Sequence, residues 1–312
     1  MHKLPNREFR KLVPKLREKG FYKHQKQRKI HWPEYNENQI NDLINNLVFI
    51  RDSVDSTYSL DMSGNVGRPL TNPKSLAKAI LFCEMNELPE RHAQGWLKLM
   101  GPFMGIYEKL DDRVIGESYS RPEVAYILKQ VFENNKSSDG RLSGDGTGLE
   151  TSRKQNYEST KKKEGEYMTS IVDSREIVQA FDISGTQECK IMHFLIEQVT
   201  GKSLALDAGF NDRKLARKIV EKGMTPYIFP KKNNKLNGSP SWKNMYLSLF
   251  FDVYEWLKEY HQRSHTESFH SSFKRVFGIL TKVRFPCRLT QVTARIIIHN
   301  NRRLSYFESI NR

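Results

Sequence analysis

The hydrophobic pattern of the chain changes near residue 140, and this change is what most constrains the fold. Before it, residues 36–50 and 73–85 place apolar side chains at helical spacing. After it, residues 141–149, 167–173 and 176–183 have the composition of strands. An all-α region followed by an α/β domain is therefore predicted, and the first strands of that domain should be antiparallel.

Capping and proline signals set the helix starts in the first region. Asn72 followed by Pro73 is a typical helix start, and further helices are predicted over residues 88–99 and 120–132. Helices joined by short turns make a compact bundle. Such a bundle is compatible both with a helix-turn-helix and with a plain helical packing unit, and the sequence leaves the two open.

In the second region, short apolar strands alternate with helices. Strands are predicted at residues 204–206 and 226–229, and helices at 186–199 and 212–222, with helices over 245–260 and 289–304 closing the domain. This alternation favours a mixed sheet covered by helices on both sides. The polar stretch 134–140 is the predicted domain boundary.

The charge of the chain indicates a polyanionic partner. The formal net charge is +15 and the pI is about 9.6, which favours nucleic acid. Residues 1–31 hold eleven Lys/Arg against Glu8 and Glu18, a local charge of +9. They predict a basic arm that either contacts DNA phosphates or is a solvated tail. The predicted division is an arm over 1–35, a helical DNA-binding or dimerisation region over 36–135, and a catalytic domain over 141–312.

Two classes of protein are disfavoured by the sequence. No apolar run approaches the ~18–20 residues of a membrane span, and the N-terminus lacks the apolar stretch of a secretory signal. A cytosolic protein without membrane contact is expected. Cys83, Cys189 and Cys287 lie about a hundred residues apart and the nine histidines are scattered, so neither a disulfide framework nor a zinc site is expected.

Residues 260–274 carry the most specific pattern. Tyr260, Arg263, Glu267 and Lys274 lie at offsets of three, seven and fourteen, which places them within about 60° of one helix face. A carboxylate between two cations suits a metal-dependent phosphodiester site. A solvated helix with an Arg263–Glu267 pair is the alternative. The opposite face is apolar: Phe269, Phe273 and Val276.

Two more acids stand where a sheet would present them. Asp145 lies in SGDGTGL at the first predicted strand, and Asp207 follows the apolar run SLAL. Small residues flank both acids and are predicted to leave room for a hydrated metal and a DNA backbone: Ala208, Gly209, Gly146 and Gly148. With Glu267 these acids form an oxygen-only ligand set of the kind that Mg²⁺ or Mn²⁺ prefers.

These blocks together resemble the DDE transposases of prokaryotic insertion sequences, in the group with a Tyr-Arg-Glu-Lys signature. The signature is matched by Tyr260, Arg263, Glu267 and Lys274, and the blocks around Asp145 and Asp207 fit as well. The resemblance implies a ribonuclease H-like fold and two Mg²⁺ or Mn²⁺ ions. Asp145 and Asp207 would share one ion, and Asp145 and Glu267 the other.

The resemblance also implies roles, partners and a location. Arg263 and Lys274 would hold phosphates, while Tyr260 would stack on a base or pack on the backbone. The DNA partners would be the element ends and a target, with self-association on DNA, in a cytoplasmic, nucleoid-associated prokaryotic protein. Two alternatives remain: a metal-dependent nuclease without strand transfer, and an inactive DNA-binding protein descended from a transposase.

Overall fold

Two compact units, each built from separate stretches of chain, make up the computed structural model. It describes residues 6–16, 30–58, 71–152, 165–183, 188–231 and 233–310. Unit 1 comprises Met1–Lys29, Ser137–Gly148 and Glu166–Ser272. Unit 2 comprises Ile30–Lys136, Leu149–Gly165 and Phe273–Arg312. The chain thus leaves and re-enters each unit, whereas the sequence suggested three consecutive segments. The functional division into arm, helical region and catalytic domain stays a prediction.

The α-helices of the described residues are given in chain order. They are α1 Asn6–Leu16, α2 Trp32–Ile40, α3 Asp42–Asp55, α4 Pro73–Met85, α5 Glu90–Met100, α6 Asp112–Ser118, α7 Pro122–Asn135, α8 Glu188–Leu195, α9 Arg213–Glu221, α10 Pro240–Phe251, α11 Val253–Tyr260, α12 Ser264–Phe277 and α13 Phe285–Ile310.

A five-stranded mixed sheet is centred in unit 1. Its strands are β1 Arg141–Glu150, β2 Gly165–Asp173, β3 Val178–Asp182, β4 Ser203–Leu206 and β5 Thr225–Ile228. The strand order is β3-β2-β1-β4-β5. β1 pairs with β4 and β4 with β5 in parallel, and β2 pairs with β3 antiparallel. The predicted mixed sheet with flanking helices and its antiparallel start are confirmed.

Helix α8 packs closely against the first strand because that strand has glycines on the facing side. A Cβ at Gly144 would lie 2.7 Å from the Met192 Cε, and one at Gly146 would lie 2.9 Å from the Glu188 Oε1, both atoms belonging to α8. Such distances are not reached by real Cβ atoms without a shift of the neighbouring groups. Glycine at these two positions therefore lets α8 approach the middle of the sheet.

Within the predicted basic arm, residues 6–16 form helix α1, which packs into the core of unit 1. Phe9, Val13 and Leu16 are buried in the core of unit 1, and the Phe9 ring lies 5.1 Å from that of Tyr246. These apolar residues recur at helical spacing between Lys and Arg residues. Helix α1 is therefore amphipathic, with the charged side chains that the structure describes exposed to solvent. Residues 1–5 and 17–29 of the predicted arm lie outside the described residues, and its last residues, from Trp32 on, belong to α2.

In unit 2, α4 is buried from Ser75 to Met85. Asn72 caps it by accepting a hydrogen bond of 2.9 Å from the Lys74 backbone N–H, so the predicted helix start is confirmed. The buried Glu84 of α4 is neutralised by α13, because the Arg295 Nε donates to its carboxylate at 2.7 Å. The Tyr119 hydroxyl donates to the same carboxylate at 2.7 Å.

Some predicted elements differ from the structure in unit 2. Residues 36–50 were predicted as one helix, but the chain breaks at Asn41 between α2 and α3. Ile40 and Ile44 are exposed, whereas Leu47 and Ile50 face the core. Helix α6 was not predicted. The helix predicted over residues 289–304 is part of the longer helix α13, Phe285–Ile310.

Eight Lys/Arg and no Asp or Glu lie between Ser268 and Phe307, but these cations do not all form a basic surface. Three of them pair with acids of unit 2: Lys282 with Glu90, Arg295 with Glu84, and Arg302 with Asp42. These cations stabilise the packing of unit 2 and are not available to DNA phosphates in this arrangement.

Candidate active site

The first two acids are brought together by the parallel pairing of β1 and β4. Gly144 pairs with Leu206 in this register, and Asp145 and Asp207 are the next residue on each strand. Neighbouring strands lie about 4.8 Å apart, so these carboxylates emerge side by side where β4 ends. The sequence-based prediction that both acids sit at such a sheet position is met by the structure.

Helix α12 is fastened to the same face of the sheet as Asp145. The Thr266 hydroxyl donates to the Ser143 hydroxyl oxygen at 2.7 Å, and Ser143 is two residues before Asp145 on β1. A second buried hydrogen bond of 2.8 Å joins Ser170 of β2 to the His270 Nε2. These two bonds set the position of α12 and thereby bring Glu267, next to Thr266, towards Asp145.

Arg263 links the first and third acids. Its Nη1 donates to the Asp145 Oδ2 at 3.1 Å and its Nη2 donates to the Glu267 Oε1 at 2.6 Å. Burial alone would lower the pKa of Arg263, but the surrounding phenol and carboxylates raise it above its usual value. The guanidinium therefore stays charged between two acids that would otherwise repel each other.

The segment 260–274 is not one continuous helix, which corrects the prediction. Tyr260 ends α11, residues 261–263 form a 3-10 turn, and α12 starts at Ser264. On α12, Phe269 and Phe273 are buried as predicted, but Val276 is 45% exposed and Phe277 takes its place in the core. The turn is what aims Arg263 at the sheet.

Tyr260 is part of the core of unit 1, which disfavours the first of its two predicted roles, stacking on a base; the second, packing on the DNA backbone, stays a prediction. Tyr260 is 7% exposed and stacks on Trp256 with ring centroids 5.5 Å apart. Phe229 covers it at 5.0 Å. Burial raises the pKa of Tyr260 to about 12, so its hydroxyl stays protonated. The residue supports the turn that carries Arg263.

Burial is also the main influence on Asp145. It raises the pKa of the Asp145 carboxyl above its usual value, and the nearby Asp207 and Glu267 add to the rise, while the Gly146 N–H and Arg263 oppose it. A carboxylate held charged against such surroundings has excess negative potential. Cation binding is the ordinary way to relieve that potential.

The space around the acids is only partly as predicted. A Cβ at Gly148 or Gly209 would meet nothing within 4 Å, so these positions leave room for a bulky ligand. Gly146 leaves no such room, because the Tyr167 ring and the Glu188 side chain occupy the space where its side chain would be.

Glu188 is a fourth carboxylate that the sequence analysis missed. It starts α8 and accepts a hydrogen bond from the Tyr167 hydroxyl. Burial raises the pKa of Glu188, and the charges of Asp145 and Asp207 raise it further. No local motif marks this residue, because its proximity to the acids depends on how α8 packs against the glycines of β1.

Lys274 lies seven residues after Glu267 on α12 and is exposed. Seven residues is close to two helical turns, so the two side chains leave α12 on the same face. This agrees with the predicted arrangement on the helix.

The donor set fits a divalent cation. Asp145, Asp207 and Glu267 offer only carboxylate oxygens, the hard ligands that Mg²⁺ and Mn²⁺ prefer. The guanidinium of Arg263 already places positive charge between two of them. A divalent cation bound by these acids would offset the negative charge that Arg263 leaves uncompensated.

The chain belongs to the DDE transposase family: the model of a transposase DDE domain matches residues 136–298, more than half of the chain. Its mixed sheet with flanking helices is accordingly ribonuclease H-like, as predicted. Members of the family generally use divalent metal ions and act on DNA. No curated protein matches the chain. Within the described ranges, no helix is long and apolar enough to cross a membrane.

Proposed function

We propose that the protein is a DNA transposase of the insertion-sequence group with the Tyr-Arg-Glu-Lys signature. It would cleave DNA at the ends of its element and join the resulting 3′-hydroxyl to a target. The observation that carries this proposal is the convergence of Asp145 and Asp207 from neighbouring strands, with Glu267 linked to Asp145 through Arg263.

The acids have the role of metal ligands in this proposal. Asp145 and Asp207 hold one Mg²⁺ or Mn²⁺ ion, and Asp145 and Glu267 hold another. When bound, these ions supply activation of the attacking oxygen and stabilisation of the leaving oxygen. Arg263 keeps Asp145 and Glu267 in place, and Lys274 holds a DNA phosphate from the same face of α12.

The surrounding regions have proposed roles as well. Residues 36–135 bind DNA or a second copy of the protein, and exposed apolar residues on α2 and α3, such as Ile40 and Ile44, support a contact with a second copy. Residues 141–312 carry the catalysis, in the cytoplasm and at the nucleoid. Lys11 and Lys15 on the solvent side of α1 contribute to DNA attraction.

The deciding experiment separates joining from hydrolysis. DNA with the terminal repeats found beside the gene is offered in three forms: intact, pre-cleaved with a 3′-hydroxyl, and pre-cleaved with a 3′-deoxy end. With Mg²⁺ or Mn²⁺ and a target plasmid, we expect joined products from the first two forms and none from the third.

The rival functions give different results in the same assay. Cleavage of intact ends without joining of the pre-cleaved 3′-hydroxyl end would identify a nuclease. Binding of the ends without cleavage or joining would identify an inactive DNA-binding descendant. An Asp145→Asn variant, beside Glu255→Gln on the exposed side of α11, shows whether any activity belongs to the acids described above.

A further inference from the structure

Three residues outside the acidic site, Cys189, His193 and Asp212, converge on one point in unit 1. Cys189 and His193 are one turn apart on α8, and Asp212 directly precedes α9. The His193 Nε2 lies 2.9 Å from the Asp212 Oδ2, and the Cys189 Sγ lies 4.0 Å from that oxygen. All three atoms lie within 4.8 Å of one another.

These separations match those of ligands around a single tetrahedral ion. With bonds of about 2.0 Å to nitrogen or oxygen and about 2.3 Å to sulfur, donor atoms on one zinc ion lie roughly 3–4 Å apart. Only small side-chain adjustments separate the observed positions from such a set. A zinc site was not expected from the scattered histidines of the sequence, but the i, i+4 spacing of Cys189 and His193 puts both on one helix face.

The backbone fixes the carboxylate in this arrangement. The Asp212 Oδ1 accepts a hydrogen bond of 2.9 Å from the Lys214 backbone N–H as the cap of α9. The other oxygen, Oδ2, is thereby directed at His193. A further bond ties the two helices, since the Lys218 Nζ donates to the His193 carbonyl at 2.5 Å.

The chemistry of the set differs from that of the acidic site. A thiolate, a neutral imidazole and a carboxylate carry a charge of about −2, which one divalent ion neutralises. Mixed sulfur, nitrogen and oxygen donors suit Zn²⁺, whereas the oxygen-only set at Asp145 suits Mg²⁺. Burial and the neighbouring Asp212 raise the pKa of the Cys189 thiol. The thiol therefore gains from a cation that replaces its proton.

We propose that Cys189, His193 and Asp212 bind a Zn²⁺ ion, with water as the fourth ligand, that joins α8 to the start of α9. The proposed role of the ion is to connect these two helices. Glu188, which begins α8, lies near Asp145, and Asp207 lies five residues before Asp212. An ion between α8 and α9 therefore stabilises the two segments that lead to the acids.

Cobalt titration of the full chain tests the site, because Co²⁺ bound to a thiolate gives a charge-transfer absorption that oxygen ligands do not give. We expect this absorption to saturate at one Co²⁺ per chain, to be lost when Zn²⁺ is added, and to persist in excess Mg²⁺. If Co²⁺ added to the reduced protein, freed beforehand of other metals, gives no thiolate band, the proposal is overturned.

Variants assign the band to the three residues. Cys189→Ser should abolish it, and Asp212→Asn or His193→Ala should weaken Zn²⁺ binding at least about 10–100-fold. Cys287→Ser is the matched control, because Cys287 is also a half-buried free cysteine, and it should leave the band unchanged. A band that persists in Cys189→Ser would show that the thiolate is elsewhere.

A measurement on the wild-type chain covers the case in which Cys189→Ser does not fold. Alkylation by iodoacetamide, mapped by mass spectrometry, should be slowed by Zn²⁺ at least about tenfold at Cys189 and not at Cys287. Equal alkylation of Cys189 with and without Zn²⁺ would contradict the proposal, and would leave His193 and Asp212 as an ion pair beside a cysteine.

Discussion

Arg263 and Asp145 form an ion pair of 3.1 Å although 118 positions separate them in the chain. The same guanidinium also pairs with Glu267 at 2.6 Å, one helical turn away. The sequence offered a solvated i, i+4 pair as the alternative to a chemical site. The bond to Asp145 connects this pair to the first acid, and it favours the chemical site, although the Glu267 side chain is 53% exposed.

The first prediction concerns the three acids. Asp145→Asn, Asp207→Asn and Glu267→Gln should each abolish cleavage and joining, because each removes a charged ligand while keeping its shape. Folding should survive, since burial already disfavours the charged form of Asp145. Strand-transfer assays measure the expected loss of activity, and thermal unfolding and DNA affinity show whether the variants remain folded. Near wild-type activity in any variant would remove that acid from the site.

The second prediction separates Arg263 from an ordinary cation. Arg263→Lys should lower strand transfer at least tenfold, roughly 1.4 kcal/mol of transition-state stabilisation, because a point charge cannot bond two carboxylates at once. The matched control is Arg217→Lys, since Arg217 makes the same i, i+4 pair with Glu221 on the surface of α9. That pair is worth only ~0.3–0.5 kcal/mol. Equal effects in both variants would contradict a special role for Arg263.

The third prediction is a pH dependence. Burial raises the pKa of Asp145, and Arg263 opposes the rise. Because only the ionised carboxyl binds a cation, Mn²⁺ affinity should fall on acidification at a pH above the ordinary aspartate value of about 3.9. In Arg263→Gln the opposing charge is gone, so the midpoint should move to higher pH. Calorimetric titrations with Mn²⁺ across a pH series would measure this shift of the midpoint. A shift to lower pH in Arg263→Gln would contradict the assignment of Asp145 as a cation ligand opposed by Arg263.

The fourth prediction tests the phosphate role of Lys274. Lys274→Ala should reduce strand transfer and flatten the salt dependence of DNA binding by about one phosphate contact, a slope change of about 0.9. Mn²⁺ affinity should not change. Arg275→Ala is the control, because Arg275 is equally exposed but points about 100° away around α12. Identical salt-dependence slopes for the two variants would show that the face of α12 with Lys274 contacts DNA phosphates no more than the face with Arg275.

The fifth prediction follows from the burial of α1. Phe9→Ala should destabilise unit 1 by about 3–5 kcal/mol, because it leaves a cavity against Tyr246. Lys11→Ala, on the exposed side of α1, should change stability by less than about 0.5 kcal/mol. Urea unfolding of both variants gives the comparison. If Phe9→Ala changed the free energy of unfolding only slightly, α1 would instead be part of the solvated arm that its charge predicts.

The sequence predicted the elements that local signals define. The helix at Pro73 and the short strand after Ser203 follow from capping and apolar runs, and the acids at positions 145 and 207 follow from their place beside such strands. The core position of α1 was missed because eleven cations in 31 residues outweighed three apolar residues at helical spacing. The high Lys/Arg content reflects the solvent-exposed face of α1, whereas the packing of the helix depends on its apolar face.

The parts of the site that were missed depend on contacts between distant segments. Glu188 comes near Asp145 only because Gly144 and Gly146 let α8 approach β1. The burial of Tyr260 results from a break between α11 and α12 that periodicity cannot show, since a single 3-10 turn keeps nearly the same spacing.

The interleaving of the two units has a consequence for the order of synthesis. Unit 2 begins at Ile30 but includes α13, whose Arg295 neutralises the buried Glu84. Until residues 273–312 have left the ribosome, the carboxylate of Glu84 lacks the guanidinium of Arg295 and the apolar side of α4 lacks the cover of α13. Truncated chains should therefore be substrates for proteolysis even when every acid of the catalytic cluster has been translated.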